Sequence, residues 1–249
     1  MRNATTDLPW PICNNPFARY NDKAREDCNL NLPLWQLLRA SNAAPTYFPP
    51  GAIVLRQGTA KERNFVFVDG GVTMYNNPAF QMFLMATLDR YWPAKPEARW
   101  RPGADRMLIV SVGTGTSPDA RSGLEPDQMN LLFNATTIPA ALMFGALNEQ
   151  DLLCRVFGNC RAGDLIDREV GDLVGSAGPA QHGQKLFTYL RYNAELTREG
   201  LDALGCPRIK PEAVQQLDSI DGIPDLGRLG KKVPEIKVLE RHFDGFTPD

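Results

Sequence analysis

Histidine is almost missing from this chain: 249 residues contain only His182 and His242. Neither lies in a segment that can be tied to the candidate site described below, which argues in a limited way against a histidine-based triad. Cysteine is sparse and odd in number, at Cys13, Cys28, Cys154, Cys160 and Cys206. Such a set does not read as a disulfide framework, and no pair has the close spacing of a zinc site, so thiols in a reducing compartment, no metal and no cofactor are expected. Charge of one sign is also lacking. A formal net charge of −2 gives no electrostatic footprint for nucleic acid. No window approaches the ~20 apolar residues of a membrane span. The opening stretch MRNATTDLPWPICNN has no apolar h-region, so a cytoplasmic location without a secretory signal is expected.

What is present is ordinary globular composition, 43% hydrophobic and 22% charged. Pro9, Pro11 and Pro16 rule out a long helix at the start. The spacing of Leu34, Leu37 and Leu38 predicts a helix over Leu32 to Ala44, stopped by Pro45. Phe65-Val66-Phe67-Val68 is short, aromatic and β-branched without polar alternation, as expected of a strand covered on both faces. Asn77-Pro78 opens a second helix with Asn77 as its cap. A polar linker from Pro93 to Arg106 leads to a second strand over 107–112, which ends in Gly113-Thr114-Gly115. The tryptophan–arginine mixture over 89–101 reads as a solvated loop with anchoring tryptophans rather than a membrane patch. Beyond it come an apolar stripe over Met129 to Phe157 interrupted by Pro139, a strand or edge over Lys185 to Asn193, and an amphipathic helix over Val233 to Phe243. Alternation of helix and strand argues for an α/β layer with parallel strands. The expected organisation is a single partial domain over 1–249, with an α/β part at 1–125 and a mainly helical part at 126–249.

Asp69 follows the apolar strand directly, and Gly70 and Gly71 follow it. In a parallel sheet functional groups gather at the carboxyl ends of strands. A carboxylate leaving an apolar strand is partly desolvated, which suits a general base, and two glycines allow a tight turn with positive φ. The plain structural reading is a turn aspartate that caps backbone N–H groups. SVGTGTS lacks the spacing of a nucleotide fingerprint and reads as the tight exit of a strand next to the one bearing Asp69.

Several segments together resemble the patatin-like phospholipase family: Arg2 to Thr6 (RNATT), Arg39 to Pro50 (RASNAAPTYFPP, with Ser41), Val68 to Ala79 (VDGGVTMYNNPA, with Gly70, Gly71, Asn76 and Asn77) and Leu108 to Ser117. Leu186 to Leu196 is a fainter echo. The resemblance implies a three-layer α/β fold related to α/β hydrolases, with a parallel-type sheet and helices on both faces. It implies a Ser–Asp dyad acting on lipid esters or at a membrane surface, with Asp69 as general base and Gly70, Gly71, Asn76, Asn77 and Ser41 as supporting motif residues. The family's nucleophile sits in Gly-x-Ser-x-Gly. None of the six serines here (Ser41, Ser111, Ser117, Ser122, Ser176, Ser219) has glycine on both sides at that spacing. The glycine-rich oxyanion loop is absent from these residues too. The chain therefore looks like the C-terminal portion of such a protein, its N-terminal segment missing or supplied in trans. The other reading is an inactive remnant that binds lipid or a partner chain.

Overall fold

A computed structural model describes residues 1–45, 47–117, 125–178, 184–216 and 219–247. His182 and Ser122 lie outside the described residues. The chain divides into two compact units: residues Met1–Arg101 with Ala135–Gln150, and residues Pro102–Asn134 with Asp151–Asp249.

The first unit is built on an antiparallel sheet of β1 (Arg2–Asn3), β2 (Leu8–Pro9), β3 (Gly51–Leu55) and β4 (Arg63–Val68), in the order β2-β1-β4-β3. Phe67 pairs with Gly51 on one side and Asn3 on the other. Helix α1 (Leu34–Ser41) packs its Ala40 against Ile53 and Phe67 to form the core. Trp10 closes it, its ring 5.3 Å from Phe65 and 5.2 Å from Phe67. Gly51 is required by this packing, since a Cβ there would stand 2.8 Å from the Ala40 Cα. Helix α2 (Ala79–Thr87) follows.

Two expectations are corrected here. The strand bearing Asp69 belongs to an antiparallel sheet, not to the parallel layer. It is also not covered on both faces: Phe67 is buried, but Val66 on the opposite face is 38% exposed. An apolar run carries no record of which face lacks a cover, because a half-exposed valine is tolerated on a pleated surface.

The second unit holds the parallel sheet that makes the molecule α/β: β5 (Leu108–Val112), β6 (Asn159–Ala162) and β7 (Thr188–Tyr192), in the order β5-β7-β6. So β5 neighbours β7, and not the strand of Asp69. Every residue of β7 is buried, and it is the central strand rather than an edge. Helix α3 (Leu131–Phe157), whose residues Ala135–Gln150 count with the first unit, runs through Pro139 without a break. Short helices α4 (Arg198–Ala203) and α5 (Pro211–Gln215) lead to α6 (Ile223–Lys237). Helix α6 begins ten residues before the expected start at Val233 and ends before Phe243, because the chain turns extended at Val238. Leu201, Leu204, Ile209, Val214 and Leu229 pack together there.

One set of buried polar groups here is closely paired. Arg155, 2% exposed, makes a two-pronged ion pair with Asp151 at 3.2 and 2.6 Å, and its third nitrogen donates to the carbonyls of Asp164 and Asp172. The Tyr189 hydroxyl donates to the same Asp151 carboxylate at 2.9 Å. Burial pushes the Cys154 thiol up to about 12 and the Cys160 thiol to about 11, so both stay protonated and inert at neutral pH. Removing one partner of a buried pair leaves an uncompensated charge. Asp151→Ala is accordingly expected to cost about 3–5 kcal/mol, read as a lower urea midpoint.

His242 is buried, with Nδ1 2.8 Å from the Tyr192 hydroxyl. Burial, and then the charge of Arg241, hold its proton affinity below the usual histidine value. As pH falls through about 6.5, the unfolded chain takes up this proton first, so stability drops, and the slope ends below the folded-state value. The melting temperature should fall between neutral and mildly acidic pH, and less steeply in His242→Gln.

Candidate active site

Asp69 stands at the carboxyl end of β4 and caps a single 3-10 turn, Gly70–Val72. Its Oδ1 accepts a 2.5 Å hydrogen bond from the Gly71 amide. Its own amide donates to the Ala43 carbonyl at 3.0 Å, tying the strand end to the chain just past α1. Oδ2 accepts no hydrogen bond among the described residues. The side chain is half-buried.

The glycines act through size rather than through backbone handedness. Neither Gly70 nor Gly71 has positive φ, which corrects the expected turn geometry. A Cβ on Gly71 would sit 3.0 Å from Asp69 Oδ1 and 3.5 Å from both Asn76 Oδ1 and the Met143 Sδ-methyl carbon. A Cβ on Gly70 would meet the Met1 backbone nitrogen at 3.1 Å. The turn is thus wrapped closely on each side. Asn76 belongs to the same cluster, donating to the Met143 carbonyl at 3.4 Å. Asn77 is 2% exposed and its Oδ1 accepts from the Ala79 amide at 3.3 Å, but the capping position of α2 is Pro78, one residue later than expected, so Asn77 braces the turn before the helix rather than capping it. Ser41 is the last residue of α1 and lines a cavity of about 420 Å³ with Leu34, Leu37 and Leu38, a cavity that Asp69 does not line. Among the described residues of this unit, no serine hydroxyl bonds the Asp69 carboxylate.

The other glycine-rich stretch is a closed structural turn. The amides of Gly113, Gly115 and Thr116 donate to the Tyr192 carbonyl, Asn193 Oδ1 and the Ala194 carbonyl respectively. Those three donors are spent within the turn and cannot serve in a cradle of the kind that phosphates use. Gly115 has φ +106° and a Cβ there would be 2.7 Å from Leu196, so glycine is needed on both counts. Asn193 and Ala43 were not singled out by sequence. Ala43 lay inside a quoted motif, but its part is played by a backbone carbonyl, which no side chain announces.

Residues 3–83 match the family model "Patatin-like phospholipase". Over that segment the chain is similar to the patatin-like phospholipases. Patatin-17 of Solanum cardiophyllum is 31% identical over 107 residues, 43% of this chain and 28% of that protein. Patatin-2-Kuras 4 of Solanum tuberosum is 28% identical over 106 residues, again 28% of its length. Patatin-like protein 1 of Arabidopsis thaliana is 23% identical over 185 residues, 65% of this chain and 44% of that protein. The chain thus spans less than half the length of each of these relatives. No solved structure matches. Among the described residues, no helix is long and apolar enough to cross a membrane, and no cluster of histidine, cysteine and acidic side chains could hold a metal ion.

The Asp69 carboxylate can be tested as a cap independently of chemistry. Asp69→Ala removes the acceptor for the Gly71 amide and is expected to cost roughly 1 kcal/mol, whereas Asp69→Asn keeps an acceptor oxygen and should cost little. Chemical denaturation of the two variants checks this. An Asp69→Ala protein more stable than the parent would mean that the carboxylate is held against its own preference.

Proposed function

We propose that this chain carries the proton-accepting part of a lipid acyl hydrolase, with Asp69 as general base of a Ser–Asp dyad whose serine lies outside these 249 residues. The observation that carries the reading is the state of the Asp69 carboxylate. One oxygen is fixed by the Gly71 amide and the other accepts nothing among the described residues, at a strand end inside the patatin-like segment. In the proposed reaction the serine oxygen attacks the ester carbonyl and its proton passes to Asp69 Oδ2. Collapse of the tetrahedral adduct breaks the acyl–oxygen bond and the leaving alcohol takes the proton. Water, deprotonated by the same carboxylate, then releases the acid. Oxyanion stabilisation would come from backbone amides of the glycine-rich loop that these residues lack.

A second reading has an observation of its own. The Gly71–Asp69 bond accounts fully for an aspartate at this position as a turn cap, and the chain would then be an inactive lipid- or partner-binding module.

Turnover of a p-nitrophenyl ester separates the two. The chain alone should give none above background. Adding, or fusing to its start, a segment with the glycine-rich loop and Gly-x-Ser-x-Gly should create turnover, and Asp69→Asn should lower it by something like 10²–10⁴-fold. A segment that binds the chain without creating turnover, or turnover indifferent to Asp69→Asn, would establish the second reading.

A further inference from the structure

The first unit contains a cavity of about 910 Å³ that Asp69 does not line. It lies toward the opposite end of β4, walled by Arg63 and Phe65 at the start of that strand, by Leu55 at the end of β3, and by Leu8 and Trp10. Its size falls within the roughly 300–1,000 Å³ range of clefts that hold organic ligands. Two properties of its wall go together. The apolar part is made by Leu8, Trp10, Leu55, Phe65 and Met85. The charged part is almost entirely guanidinium: Arg19, Arg56, Arg63 and Arg90, with Asp27 as the one carboxylate.

That carboxylate is already neutralised. Asp27 accepts from Arg25 at 2.9 and 3.0 Å and from Arg56 at 2.8 Å. Arg19, Arg63 and Arg90 have no carboxylate partner among the described residues. Arg19 lies only over the Tyr20 ring. Two polar atoms of lining residues, Asn29 Oδ1 and Arg56 Nε, are buried and have no hydrogen-bond partner among the described residues. Arginine forks suit carboxylate and phosphate oxygens, and unmatched guanidiniums beside an apolar wall favour an anion attached to a hydrocarbon body.

We propose that this cavity is a binding site for a single-chain amphiphile with an anionic head group, separate from Asp69. The chain would lie along Trp10, Leu55, Phe65 and Met85, and the head group among Arg19, Arg63 and Arg90. A fatty-acid carboxylate and a lysophospholipid phosphate share this chemistry.

The test is titration of the full chain below micelle-forming concentrations, read by calorimetry and by tryptophan fluorescence, with oleate, oleoyl lysophosphatidate and uncharged monooleoylglycerol. One anion bound per chain, well above monooleoylglycerol in affinity, is expected. Preference for oleate or for the lysophosphatidate would tell which head group fits. Arg63→Glu/Arg90→Glu should weaken anion binding by roughly tenfold or more while leaving monooleoylglycerol unchanged. Leu8→Glu keeps the arginines and should weaken binding as well, which keeps the test decisive if the double variant folds poorly. Asp69→Asn should leave binding intact. Equal affinity for the neutral lipid, no binding, or anion binding unaffected by these wall variants would overturn the proposal.

Discussion

The hydrogen bond from the Gly71 amide to Asp69 Oδ1 is the constraint around which the patatin-like segment is arranged. It holds the carboxylate at the end of β4, and the surrounding chain hydrogen-bonds that end in place. The Asp69 amide is tied to the Ala43 carbonyl. The Arg2 to Thr6 segment is laid against the same strand: Arg2 pairs with Val68, the Ala4 amide donates to the Val66 carbonyl, and the Thr5 hydroxyl oxygen accepts from the Val66 amide. Asn3, 2% exposed, folds that segment by accepting from the amides of Thr5 and Thr6. The short motifs at Arg2 to Thr6, Arg39 to Pro50 and Val68 to Ala79 are scattered in sequence, yet they meet at one strand. Under the proposed reading, a carboxylate so held would lose little further freedom on engaging a hydroxyl.

The sequence read well where side-chain pattern alone decides the outcome. The apolar runs at 65–68 and 108–112 are strands, and Leu34, Leu37 and Leu38 mark α1. It read poorly where the deciding partner is distant. Antiparallel pairing of β4 with β1 and β3 depends on two-residue β1 and on Gly51-Ala52-Ile53-Val54-Leu55, and nothing in Phe65 to Val68 states the direction of its neighbours. Strand β7 carries Thr188 and Arg191 in a fully buried position, which a hydropathy pattern assigns to an edge. Those residues are tolerated inside because Thr188 donates to the Ala104 carbonyl and Arg191 to the Ser111 hydroxyl.

The candidate site shows the same division. Asp69 was legible because a carboxylate after an apolar run is uncommon enough to demand a reason. The function of its glycines was not, since glycine signals positive φ and close approach equally, and only the neighbours Met143, Asn76 and Met1 decide for close approach. The arginines of the large cavity were invisible for a similar reason. Arg19, Arg56, Arg63 and Arg90 are spread over seventy residues without a run of like charge, and only the fold collects them on one wall.

Under the proposed reading, catalysis and capping would not compete for Asp69, because a carboxylate has two oxygens and the two tasks would use different ones. The bond to Gly71 engages Oδ1 and leaves Oδ2 without a hydrogen bond among the described residues. Asp151, which is buried, uses both oxygens on Arg155 and Tyr189. Oδ2 of Asp69 has no such donor among the described residues, although peptide amides surround the turn. Asp151 accepts from Arg155 and Tyr189 with both oxygens, whereas Asp69 accepts with Oδ1 alone among the described residues; under the proposed reading, Oδ2 is the oxygen that would receive the serine proton.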